Sequence, residues 1–190
     1  MNDNHPEPFE LAEIVYEKPL SGEFEEILFG SDRENTLWVR FSDKHGISEW
    51  IGKFGCGSST ASRVTKAIPP DKFFVSAGGF AYLIDATTRK LVNQYCEQNI
   101  RDAAYDGEKN LLIVADWTYL RWIQAGKEIF EKRIAVDGIR DLKIEERILS
   151  GLAVINYGGE EQRFKFDLDK LKILSWEKLP KNSLKAKSWW

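Results

Sequence analysis

At 190 residues, the chain is long enough for a sizeable core, and 43% hydrophobic with 30% charged residues is typical of a globular domain. Its net charge of −3 gives no reason to expect nucleic acid as a partner, because nucleic-acid binders usually carry a basic patch. Its apolar runs are far shorter than the roughly 20 residues that span a bilayer, and residues 1–15 contain no basic, apolar leader. We therefore expect a cytoplasmic protein that contacts neither nucleic acid nor membrane.

Few side chains offer catalytic or metal-binding chemistry. The two histidines, His5 and His45, are too few for a histidine-rich metal site, and neither suggests a catalytic triad. Cys56 and Cys96 are too few for a disulfide scaffold, and we expect free thiols in a reducing compartment. Cys56 lies in a loop of small residues and is the best candidate for a reactive thiol. We predict no catalytic residue, no metal site and no cofactor.

Taken in chain order, the residues predict four groups of four short strands within a single domain, 1–190. Runs of β-branched and aromatic residues indicate the strands, and clusters of Gly, Pro, Asp and Asn indicate the turns between them. The predicted strands of the first group are Phe9–Tyr16, Phe24–Phe29, Leu37–Phe41 and Ile47–Phe54. The groups occupy about 9–54, 62–96, 100–134 and 139–176, and a tail of undetermined structure follows at 177–190.

A repeated hairpin relates the four groups. Strands Tyr82–Asp85 and Leu91–Tyr95 flank a polar turn, and weaker versions of this hairpin occur at 37–50, 119–130 and 164–176. The tripeptide Ile100-Arg101-Asp102 also recurs as Ile139-Arg140-Asp141, at the start of the third and fourth groups. Self-similarity at about 40 residues indicates a repeat architecture in which each unit is a small sheet.

The segment 82–92, Tyr-Leu-Ile-Asp-Ala-Thr-Thr-Arg-Lys-Leu-Val, resembles the hairpin between the third and fourth strands of pyrroloquinoline-quinone and WD-type propeller blades. In those blades an Asp precedes a turn similar to Thr-Gly-Lys, whereas Arg89 stands at the Gly position here. The resemblance covers the hairpins of the four groups. It implies an all-β fold, a small or incomplete β-propeller of four antiparallel sheets, and no particular function. A β-sandwich or barrel of the same strands is the alternative.

In a propeller, the loops between second and third strands and the links between sheets lie on one face. The predicted loops are 30–35, 78–79, 116–118 and 156–161, and the predicted links are 55–62, 97–100 and 136–139. Aromatic and acidic side chains on loops carried by rigid sheets favour protein binding. The predicted partner-binding residues are Asp32, Arg33, Glu34, Asp116, Trp117, Tyr157, Glu160 and Glu161.

These features favour a non-enzymatic protein-binding module, monomeric or dimeric, that docks another protein. One specific form is a bacterial immunity-type protein that binds a toxin. The alternative is a small-ligand binder or hydrolase at the axial mouth of a propeller, with Asp102, Asp116, Asp141 or Glu161 as acids. The Ile-Arg-Asp repeats also have a purely structural interpretation, in which each Asp accepts backbone amides and pairs with an Arg.

Overall fold

The computed structural model describes residues 9–20, 22–31, 35–59, 62–68, 71–95 and 99–179. All regular structure in these ranges is β-strand. The strands are β1 (Phe9–Val15), β2 (Glu26–Phe29), β3 (Thr36–Asp43), β4 (Glu49–Gly55), β5 (Ser62–Ile68), β6 (Lys72–Ala77), β7 (Phe80–Asp85), β8 (Lys90–Tyr95), β9 (Asp102–Asp106), β10 (Leu111–Ala115), β11 (Tyr119–Gln124), β12 (Lys127–Arg133), β13 (Asp137–Glu145), β14 (Ile148–Val154), β15 (Glu161–Asp167) and β16 (Lys172–Lys178).

The strands form four four-stranded sheets, so the predicted all-β fold class with four sheet repeats is confirmed. In three sheets the strands follow one another in chain order and all pairs are antiparallel: β5 to β8, β9 to β12, and β13 to β16. The charged segment Arg163–Asp167 is a strand, as its alternation of apolar and charged residues predicts. Residues 180–190, which include most of the predicted tail, lie outside the described part of the chain.

All four predicted hairpins are present, formed by β3–β4, β7–β8, β11–β12 and β15–β16. In the β7–β8 hairpin the carboxylate of Asp85 accepts the Thr88 N–H at 2.8 Å and so holds the turn. Arg89 adopts a φ of 56°, the left-handed conformation that glycine takes at least cost. The departure from the propeller pattern at this position is therefore a change of side chain, because the backbone keeps the conformation that glycine favours.

The first sheet differs from the predicted order, in which four consecutive strands were expected to be antiparallel neighbours. Its order is β1-β3-β4-β2, and β2 pairs in parallel with β4. This position places Phe29 against Phe54, with ring centroids 5.1 Å apart, and against Trp50 at 6.1 Å. The apolar alternation of β2 specifies which face must be buried, but it does not specify which strand lies beside it. The prediction that β2 and β3 are neighbouring antiparallel strands is therefore wrong, and the predicted loop 30–35 connects strands that are not adjacent in the sheet.

Two compact units divide the chain, Met1–Asn99 and Ile100–Trp190, and each contains its own core. In unit 1 the core includes Phe41 stacked on Trp50, at 4.4 Å between ring centroids. The buried Tyr82 hydroxyl donates to the Gly55 carbonyl at 2.7 Å. In unit 2, Trp122 lies 5.3 Å from Phe166, in a core shared by the sheets β9–β12 and β13–β16.

Glycines bring the link after β4 against the turn between β6 and β7. The Gly57 N–H donates to the Ala77 carbonyl at 3.1 Å. A Cβ on Gly57 would lie 2.4 Å from the Gly78 carbonyl oxygen, a backbone atom that cannot swing away. The predicted linker is therefore a closely packed part of unit 1 where the structure describes it, at residues 55–59.

The last strands of the second, third and fourth sheets each contain a bulge at an equivalent position. The pairing register skips Val92 in β8, Ile129 in β12 and Leu174 in β16. Each skipped residue is exposed, by 50%, 56% and 47% respectively. The β3–β4 ladder has no such skip, and β4 is the strand that β2 covers on its other edge. Bulges interrupt the regular edge on which another chain could pair, so they protect β8, β12 and β16, which are edge strands, whereas β4 is covered by β2.

We expect Gly57→Ala to destabilise the protein by about 1–3 kcal/mol, because the new methyl group must displace the Gly78 backbone. Urea unfolding followed by circular dichroism measures the loss. The matched control is Gly107→Ala, whose added Cβ meets nothing nearer than a Tyr105 ring carbon at 3.7 Å and should change little. Equal stability of Gly57→Ala and the wild type would show that the close packing of this link is dispensable.

Deletion of Leu174 should leave the fold intact and increase self-association. The deletion joins Ile173 to Ser175 and makes the ladder between β15 and β16 continuous, which creates a regular edge. Light scattering over a concentration series is the measurement. The control Leu174→Ser keeps the bulge and removes only the exposed apolar side chain, so it should not self-associate. A deletion variant that stays as dispersed as the wild type would refute the protective role of the bulge.

Candidate functional site

Three loop segments and one strand start form a continuous surface in unit 2. The Ile134 and Ala135 N–H groups donate to the Thr118 carbonyl at 3.0 and 3.2 Å, and the Val136 N–H donates to the Val154 carbonyl at 2.8 Å. The link after β12 therefore joins the β10–β11 turn to the end of β14. We call this surface the loop face of unit 2. It consists of Arg101, the turn 116–118, the link 133–137 and residues 155–161, which are the β14–β15 loop and the first residue of β15.

The β10–β11 turn presents Trp117 on this face. Asp116 is 8% exposed and accepts the Thr118 and Tyr119 N–H groups, both at 2.6 Å, while its other oxygen pairs with Arg121. Trp117 is 37% exposed, and the guanidinium carbon of Arg101 lies 3.7 Å from the centroid of its ring. Asp116 thus acts inside the turn, whereas Trp117 remains accessible with a cation against its ring.

The β14–β15 loop presents Tyr157, which is 94% exposed. The side-chain oxygen of Asn156 accepts the Gly158 and Glu160 N–H groups at 3.0 and 3.1 Å. The Gly159 N–H donates to the Asn156 carbonyl, and the Ile155 N–H donates to the Glu160 carbonyl. The loop is therefore closed by its own hydrogen bonds, while the aromatic ring at its tip contacts mostly solvent.

The two predicted glutamates of this loop have different environments. Glu161 is buried and makes a two-pronged ion pair with Arg140, with N–O distances of 2.9 and 2.7 Å. Glu160 accepts hydrogen bonds from Gln162 and Asn156 and pairs with Lys178. The hydrogen bond from Gln162 and the charge of Lys178 hold the pKa of Glu160 below its ordinary value, despite an opposing contribution from burial.

Arg101 lies on this surface but is not among the predicted partner-binding residues. Burial lowers the pKa of Arg101 from its ordinary value, Asp137 opposes that shift, and Arg140 adds to it. The Ile-Arg-Asp repeat placed Arg101 at the start of a strand near the loop side. Nothing in a linear pattern predicts its contact with Trp117, because the two residues meet only once β9 and β10 have paired.

The remaining predicted partner-binding residues Asp32, Arg33 and Glu34 lie outside the described residues. Of the acids in the alternative enzyme hypothesis, Asp102 is 1% exposed and accepts the Ala103 N–H at 2.7 Å and the Leu142 N–H at 2.9 Å. Asp141 pairs with Arg140 at 2.8 Å. Asp102 thus makes the backbone bonds of the structural interpretation, and Asp141 makes its arginine pair.

Cys56 is a free cysteine, partly buried between β4 and the Gly57 link. Burial raises the pKa of its thiol, with a backbone hydrogen bond from Leu37 opposing that shift, so the thiolate is disfavoured. Within the described ranges, no three His, Cys, Asp or Glu side chains are grouped closely enough to hold a metal ion. Nor do those ranges contain a helix of the length and hydropathy needed to cross a bilayer.

We expect Arg140→Met to cost about 3 kcal/mol of stability, because it leaves the Glu161 carboxylate buried without its ion-pair partner. Urea unfolding measures the loss. The control Arg40→Met removes the pair with Glu13, whose side chains are 39% and 58% exposed, and should cost less than about 1 kcal/mol. If both variants lose the same small amount, the Arg140–Glu161 pair contributes no more than a surface pair.

Comparison with known proteins finds similarity at the level of fold. No protein-family model and no curated protein matches the sequence. The WD40 domain of Neurospora crassa Pan2 superimposes with a TM-score of 0.52 at 10% identity, covering 76% of this chain and 49% of that one. Kuenenia stuttgartiensis hydrazine synthase gives a TM-score of 0.57 at 12% identity, covering 87% and 52%. The chain spans about half the length of these structures. Four four-stranded sheets with these structural neighbours make this a β-propeller-like repeat protein without a specific family.

Proposed function

We propose that the protein is a non-enzymatic interaction module that docks another protein through the loop face of unit 2. The observation that carries this proposal is the presentation of Tyr157, an aromatic side chain that is 94% exposed on a loop closed by hydrogen bonds. A rigid loop loses little conformational entropy on binding, and Tyr and Trp are enriched among the residues that dominate interface energies. Trp117, on an Asp116-closed turn, supplies a second aromatic contact.

The fold likeness supports a scaffold role without deciding it, since one fold hosts many activities. Of the two structures compared above, one is a WD40 domain and the other is an enzyme, hydrazine synthase. Asp102, Asp116 and Glu161 are buried acids that accept hydrogen bonds within unit 2, and this use of their oxygens favours the binding function over the hydrolase alternative.

An immunity-type role is one form that the docking could take, with a toxin as the bound protein and the cytoplasm as its location. The surface of such a toxin would have to complement the loop face of unit 2. On this face Asp116 and Glu161 are buried and form ion pairs with Arg121 and Arg140. The partner that docks on this face could also be another kind of protein or a second copy of this chain.

The test is co-purification of partners with the wild type, Trp117→Ala and Tyr157→Ala. We expect each substitution to weaken capture of a specific partner by about tenfold, the effect of losing one dominant aromatic contact. The matched control is Tyr16→Ala, because Tyr16 is 93% exposed but lies in unit 1.

Thermal unfolding should be the same for Tyr157→Ala and Tyr16→Ala, which separates loss of binding from loss of folding. A partner that binds the wild type, Trp117→Ala and Tyr157→Ala equally well would remove the loop face of unit 2 as the docking surface.

A further inference from the structure

The acids of the loop face of unit 2 are largely engaged within the chain. Asp116 pairs with Arg121 beneath the turn, and Glu161 pairs with Arg140. Glu160 is held by Gln162, Asn156 and Lys178. The exposed carboxylate that remains on this face is that of Asp137, at the start of β13. The acidic character that the sequence suggests is therefore mostly neutralised where a partner would bind.

One guanidinium group lies against the exposed Trp117 ring, and a second is exposed on the same loop face. Arg101 stacks against Trp117, and Arg133 is exposed at the end of β12, opposite Tyr119 in the ladder. The Arg133 Nε–H donates to the Ala135 carbonyl at 3.4 Å. The Arg133 side chain therefore lies along the link whose amides donate to the Thr118 carbonyl. Arg101 is therefore the cation in contact with Trp117, and Arg133 is a second exposed cation carried by the link.

The stack prepares Arg101 to bind an anion. A guanidinium has five N–H donors in a fixed fork, so it can keep its contacts within the chain and still offer donors to a partner. Contact with the indole at 3.7 Å restricts the side chain, which reduces the entropy that binding would cost. Partial burial also strengthens its hydrogen bonds to a carboxylate, because less water competes for the charge.

We propose that the Arg101–Trp117 pair recognises a carboxylate side chain on an acidic protein segment, with an adjoining apolar side chain packed on the exposed part of the indole. Charge complementarity selects this occupant over a basic one, and Arg133 adds to the attraction. The proposal rests on the proposed docking function and specifies its chemistry: the segment that binds the loop face of unit 2 is acidic and apolar, whatever the class of the whole partner.

The experiment follows the indole N–H resonance of Trp117 in the full chain labelled with nitrogen-15, assigned with Trp117→Phe. The probes are a synthetic peptide of alternating glutamate and leucine and its counterpart with lysine in place of glutamate. The glutamate peptide should shift the Trp117 resonance and the lysine peptide should not. Arg101→Met should lower the affinity for the glutamate peptide about tenfold, which is the effect of losing hydrogen bonds to a charged group.

The affinity of Arg101→Lys for the glutamate peptide should lie between those of the wild type and Arg101→Met. Lysine keeps the positive charge but lacks the paired N–H donors of the guanidinium group. The matched control is Arg163→Met, since Arg163 is exposed on β15 outside the loop face of unit 2, and it should bind as the wild type does. Unchanged thermal unfolding of the Arg101 variants ensures that the comparison concerns binding.

Equal responses to the two peptides, or equal affinity of Arg101→Met and the wild type, would overturn the proposal. A stronger response to a single-stranded oligothymidine than to the glutamate peptide would overturn an acidic protein segment as the occupant. If Arg101→Met binds normally while Tyr157→Ala still loses its captured partner, only this inference fails. If the Tyr157 variant also keeps its partner, the docking function fails with it.

Discussion

Side-chain oxygens that accept backbone N–H groups hold the turns of this protein, and its other features depend on them. Asp43, Asp85 and Asp167 close three of the four repeated hairpins. Asp116 and Asn156 do the same for the two loops that present aromatic residues in unit 2. A short polar side chain that satisfies donors a few residues along the chain fixes both the turn and the strand pairing that leaves it.

The same use of carboxylates determines the charge of the surface. A carboxylate whose oxygens accept N–H groups from its own turn is a structural acceptor, even when its position in sequence is on a loop. Burial alone would raise the pKa of Asp43, but amides of Ser48, Ile47, His45 and Gly46 more than offset this and the pKa is lowered. For Asp167 the amide of Lys170 is the main cause of a lowered pKa. These acids stay ionised in neutral solution without forming an anionic binding surface.

Much of this fold could be predicted from the sequence, because hairpins are local. The turn Asp43–Gly46 and the strand alternation at Arg163–Asp167 depend on residues close in the chain. The position of β2 could not be predicted, since an edge strand with one apolar face fits beside any strand that completes that face. For the site, the sequence identified Trp117 and Tyr157 as loop aromatics. It could not show that Glu161 is an internal acceptor, because its partner Arg140 lies 21 residues away on another strand. The bonds of Asp116 to amides two and three residues along the chain are local, and the turn pattern indicates them.

The covered edge of β4 constrains how this chain can change over evolutionary time. β4 has an uninterrupted ladder with β3, and β2 occupies its other side. A descendant that lost the segment carrying β2 would expose a long template for intermolecular pairing. It would therefore need a compensating single-residue insertion in β4, the device already found in its three counterparts. Loss of one strand and gain of one residue elsewhere are thus linked steps, and neither is tolerated easily by itself.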